Sequence, residues 1–157
     1  MDAILDELRK LLPSAHDAAA VAIRLLAALL AGAIIGFQRE HSHKPAGLRT
    51  HMLVCMGVTM FVTIGTLAGM TDDALSRVIQ GLATGIGFLG AGAIIKMKES
   101  QEIHGLTTAA GIWMTSAIGV AIGLGHLGAA VIGVLFAWFV LAVMVKMEPR
   151  HENDHAE

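Results

Sequence analysis

Glu40, His41, His43 and His51 crowd one short polar stretch. Imidazole and carboxylate at such spacing could hold zinc or copper. Structural zinc sites, however, draw on cysteines or a second histidine pair at set intervals, and neither stands nearby, so these read as solvated interfacial histidines. Gly85-Gly87-Gly90 and Gly123-Gly125-Gly128 each match the glycine spacing of a dinucleotide-binding turn. That turn needs a strand before it, a helix start after it and an acidic residue about 20 positions on. Both segments sit instead in apolar, helix-like sequence, and the residues about 20 beyond Gly87 are Thr107 and Thr108. No cofactor and no metal are expected. No serine, cysteine or histidine stands beside a base at a spacing that would activate a nucleophile. Cys55, the single cysteine, lies in an apolar run and reads as a small buried hydrophobe. The chain is not expected to be an enzyme.

Composition sets the elements that must position these residues. Of 157 residues, 55% are hydrophobic and 15% charged, against about a quarter charged in a soluble domain. The charges gather in gaps between apolar runs, as a bilayer requires. A net charge of −2 supplies no basic field for nucleic acid. Five apolar runs follow one another at 18–37, 52–70, 78–95, 105–124 and 127–145, each near the length of about 20 residues that crosses hydrocarbon. Ahead of them, residues 1–14 place Ile4, Leu5, Leu8, Leu11 and Leu12 at helical spacing, which predicts an amphipathic helix on the membrane surface. Its acidic start, with no small-residue cleavage site after the first apolar run, is unlike a signal peptide. The expected fold is an all-α integral membrane protein: a compact bundle of about five transmembrane helices over 15–146, the interfacial helix before it and a polar tail at 147–157.

Lysine and arginine in short loops set orientation. Arg39, Lys44 and Arg49, Lys96 and Lys98, and Lys146 and Arg150 make seven on one side, against Arg9, Lys10 and Arg77 on the other. This count predicts an outer N-terminus and a cytoplasmic C-terminus. Arg24 is the one charge well inside a run, and an intramembrane cation tends to find a partner or to snorkel; an Arg24–Asp73 pair is the partner expected, with snorkelling the alternative. Small residues four apart let membrane helices approach closely. Gly32/Gly36, Gly65/Gly69, Gly81/Gly85 and Gly119/Gly123 provide such pairs in each of the first four runs, more than one seam needs, so one glycine face is expected to remain for self-association. Thr59, Thr63 and Thr66 form a hydroxyl stripe that reads as bonding back to its own helix. Runs two to five hold no Asp, Glu, Lys, Arg or His between their ends. A proton-coupled carrier keeps an ionisable group near mid-membrane, and a dehydrated Mg²⁺ wants carboxylates.

Three blocks are specific enough to compare with a known family: I-I-G-F-Q-R-E-H-S-H-K-P-A-G-L-R-T-H at 34–51, R-V-I-Q-G-L-A-T-G-I-G-F-L-G-A-G-A-I at 77–94 and H-G-L-T-T-A-A-G-I-W at 104–113. With the runs between them, the chain resembles the membrane domain of the MgtC/SapB family of bacterial inner-membrane proteins. The resemblance implies that Arg39, Glu40, Lys44, Arg49, Thr50, Asp73, Arg77, Gln80, Thr107 and Thr108 form the polar signature. Gly32, Gly36, Gly81, Gly85, Gly87, Gly90, Gly92 and Trp113 would be packing positions, and the helix carrying the glycine run would be the central one of five. Gln38 stands where members often carry an acid, and the spacer D-A-L-S-R before Arg77 lacks the usual proline. Many members append a soluble cytoplasmic domain; this chain is expected to be the transmembrane part without it.

The resemblance further implies a link to growth at low Mg²⁺, acid and other stress, and virulence. The expected role is a regulator in the bilayer that binds a membrane protein such as the proton-driven ATP synthase. A small-solute or cation (Mg²⁺) channel or transporter is the alternative from another class, and an Mg²⁺ or pH sensor built on Asp72 and Asp73 a third.

Overall fold

The computed structural model describes residues 14–96 and 103–143; the interfacial helix and the polar tail expected from the sequence lie outside the described residues. Five helices follow in order: α1 (Ala15–His41), α2 (Leu48–Leu67), α3 (Asp72–Gly92), α4 (Leu106–Gly123) and α5 (Leu127–Val143). The first four are long and apolar enough to cross a membrane, and α5 has 17 described residues, the lower end of the spanning range. The all-α bundle is therefore as expected, with one addition: β1 (Ile95–Lys96) pairs antiparallel with β2 (Ile103–His104).

Local chemistry sets the helix ends. The side chains of Ser14 and Thr71 accept the N–H of Asp17 and Ala74 at the starts of α1 and α3. Gly47 offers no side-chain cap to α2; Glu40 reaches across from α1, its Oε2 accepting the Leu48 N–H at 2.8 Å. Gly105 precedes α4 at φ 93°, left-handed backbone that glycine adopts without a Cβ penalty.

Glycine then fixes which helices touch. A Cβ on Gly32 would lie 2.7 Å from the His51 carbonyl oxygen, and one on Gly36 2.7 Å from the Leu48 Cα. α1 and α2 therefore meet backbone to backbone. α2 meets α4 as closely: a Cβ on Gly119 would stand 2.8 Å from the Cys55 carbonyl oxygen, and one on Gly123 2.6 Å from the Val62 Cβ. Around this three-helix contact one apolar core joins Ala28, Ala31 and Ile35 of α1, Cys55 of α2, Ile118 and Ile122 of α4, and Ala130, Val134, Ala137 and Leu141 of α5.

The central helix is α4, not the glycine-run helix α3 that the sequence suggested. Only Leu75, Ile86 and Gly90 of α3 are buried, and Gly90 rests on Ala109 at 3.6 Å from an added Cβ. At Gly81, Gly85, Gly87 and Gly92 an added Cβ would meet nothing within 4 Å among the described residues. Among the described residues of one chain, α3 is the peripheral helix.

Candidate functional site

The buried face of α4 collects most of the polar chemistry inside the bundle. At one end the Arg24 guanidinium, half-buried in α1, donates to the Gly123 carbonyl at 2.8 Å and to Thr66 Oγ1 at 3.1 Å. This corrects the expected Arg24–Asp73 pair. Asp73 is exposed on α3, while the α4 carbonyl and the α2 hydroxyl are within the guanidinium's reach.

Farther along, the Thr59 hydroxyl donates to the Gly119 carbonyl at 2.9 Å. The hydroxyl stripe thus divides: Thr66 bonds back to Thr63 of its own helix at 2.8 Å, as expected, but Thr59 crosses to α4. Next comes His51, fully buried rather than solvated at the interface. The helix begins at Leu48, before the apolar run does, and so draws His51 into the bundle. Its Nδ1 lies 2.7 Å from Thr115 Oγ1, whose hydroxyl donates to the Gly111 carbonyl at 2.9 Å. With that proton committed, the shared hydrogen bond is donated by the His51 Nδ1–H.

At the far end Arg39, 1% exposed, donates from Nη2 to Thr108 Oγ1 at 2.6 Å. Beside it the Gln38 amide donates to the Leu141 carbonyl at 2.7 Å, joining α1 to α5. Gln38 Oε1, Arg39 Nε, His51 Nε2 and Thr63 Oγ1 are buried with no hydrogen-bond partner among the described residues.

The column runs from Arg24 to Arg39 with a guanidinium at each end. Its bonds fasten α1 and α2 to α4, because a polar group in hydrocarbon is costly until another element satisfies it. Two of its members, Arg39 and Thr108, were in the expected polar signature; His51 and Thr115 were not. A signal for His51 existed: His51, Cys55, Thr59 and Thr63 are spaced by four, one face of a helix.

The other signature residues are placed elsewhere. Lys44, Arg49 and Thr50 are exposed at the α1–α2 turn, next to Glu40 on the α2 start. Asp73, Arg77 and Gln80 are exposed on the first turns of α3, Thr107 is exposed one residue before Thr108, and Trp113 is 54% exposed on α4. Among the described residues no group of three or more His, Cys, Asp or Glu gathers at metal-binding distance.

Apolar helices of spanning length, sealed inside by hydrogen bonds between helices, define a polytopic α-helical membrane protein. The MgtC family model matches residues 25–150, and the chain belongs to the MgtC family. It is 42% identical over 139 residues to protein SrpB of Synechococcus elongatus, covering 82% of this chain and 76% of that protein. It is 40% identical over 137 residues to protein MgtC of Brucella abortus, covering 87% of this chain and 53% of that one. With protein MgtC of Salmonella typhimurium it shares 44% over 106 residues, 66% of this chain and 43% of that protein. The chain thus spans about half the length of the MgtC proteins it matches. No solved structure matches it.

Proposed function

We propose that this MgtC-family protein is a non-enzymatic regulator in the bacterial inner membrane, N-terminus outside and C-terminus cytoplasmic, which acts in Mg²⁺ homeostasis and stress survival by binding a membrane protein. The observation that carries the reading is the outward face of α3. Gly81 and Gly85 offer bare backbone there, and Asp73, Arg77 and Gln80 stand exposed at its start. Polar side chains and close-approach glycines are what membrane helices use to hold one another, and among the described residues the α3 set holds no other helix.

The interior supports the same reading over transport. The buried column carries a guanidinium at each end and spends its hydroxyls on fastening helices, an arrangement that repels a cation along its length. The partner suggested by the family resemblance is the proton-driven ATP synthase.

Crosslinking and pull-down from native membranes under Mg²⁺ starvation test the proposal. A specific membrane protein should co-purify with the unaltered chain and be lost with Gly81→Leu, Gly85→Leu, at both of which an added Cβ meets nothing within 4 Å among the described residues. Retention of the partner by a normally folded double variant would sink it.

A further inference from the structure

At the α1–α2 turn the chain leaves the apolar layer and re-enters it within a few residues. The boundary is sharp. Phe37 is an exposed apolar ring, and one turn later His41 lies parallel to it, with ring centroids 6.4 Å apart and an interplanar angle of 14°. From there the surface is polar through His43, Lys44, Arg49 and Thr50.

Two of these residues are cations whose charge is unpaired among the described residues. Arg24 and Arg39 are spent inside the bundle, whereas the side chains of Lys44 and Arg49 make neither an ion pair nor a hydrogen bond among the described residues. Both line one open depression of about 420 Å³, with Pro45, Leu48, Thr50 and Glu40. Glu40 is the only acid there, and its Oε2 is held on the Leu48 N–H at 2.8 Å. Two unpaired cations, a hydroxyl and two apolar side chains therefore meet at headgroup depth.

We infer that this turn binds the phosphate of an anionic phospholipid, with Arg49 and Lys44 on the phosphate and Pro45 and Leu48 against the first acyl carbons. Arg49 supplies the planar fork that matches phosphate oxygens, and Lys44 a compact charge on a flexible stem. The lipid, rather than a free anion, fits the mixed lining and the position between two spanning helices. The inference does not rest on the regulator reading.

The test uses the full chain in mild detergent, with the thermal unfolding midpoint followed as lipid is added. Phosphatidylglycerol should raise the midpoint and phosphatidylcholine should not, and the response should shrink as salt is added. Its apparent affinity should fall about fivefold with Lys44→Gln or Arg49→Gln and about thirtyfold with both, each basic residue contributing separately, while Lys44→Arg keeps it. Both glutamine variants should keep the lipid-free midpoint. An equal response to phosphatidylcholine, a response untouched by salt, or full retention by the double variant would overturn the assignment. So would inorganic phosphate reproducing the shift, since the site would then take a free anion.

Discussion

Arg39 is a buried cation that donates its hydrogen bond to a hydroxyl rather than to a carboxylate. A buried charge stabilises a fold only when its partners repay the loss of water, so the pair should respond asymmetrically to substitution. Thr108→Val strips the guanidinium of its acceptor and should cost about 2 kcal/mol. Arg39→Met removes the charge together with its need and should be near neutral. Thermal or denaturant unfolding in detergent ranks the two, and the reverse order would mean that the guanidinium stabilises the bundle beyond this bond. The sequence made Arg39 and Thr108 notable separately, through the family resemblance. It could not pair them, because they are 69 residues apart and belong to helices whose register only packing sets.

Among the elements, the glycine pairs divide by where their backbones lie. Gly32→Ala or Gly36→Ala pushes a methyl into α2 backbone, which cannot yield as a side-chain tip would, and should cost about 3 kcal/mol. The Cβ of Gly81→Ala or Gly85→Ala meets nothing within 4 Å among the described residues and should hold or raise the isolated chain's stability by up to about 1 kcal/mol through helix propensity. Equal losses at all four positions would contradict a peripheral α3. The end of the bundle held by Arg24 gives a second comparison. Arg24→Leu abandons the Gly123 carbonyl and Thr66 and should cost about 1–2 kcal/mol, while Asp73→Asn, exposed on α3, should leave the unfolding midpoint unchanged.

For the molecule as a whole, the regulator reading separates cleanly from transport. Proteoliposomes of the purified chain should pass neither Mg²⁺ nor protons above empty vesicles, because the guanidinium at each end of the buried column repels a cation. Flux that is lost with Asp73→Asn would reverse that conclusion. Partner capture and flux are independent measurements, so one can fail without the other.

Hydropathy, run length and glycine spacing were enough to read a helical membrane bundle from the sequence, because the bilayer demands satisfied backbones and apolar surfaces from any chain that crosses it. The three motif blocks were enough for the family. The order of the helices in space was not legible: Gly81/Gly85 and Gly119/Gly123 share one spacing, yet the first pair faces outward and the second grips α2. Local spacing states that a close approach is allowed, not which helix takes it up. The same limit hid the polar column. His51 looked like a loop histidine because hydropathy places its apolar run from residue 52, whereas helix α2 starts at Leu48 and turns the ring towards Thr115. Only the tertiary structure could bring Arg24, Thr59, His51 and Arg39 onto one face of α4, because each bond between helices in that column joins residues more than 40 positions apart.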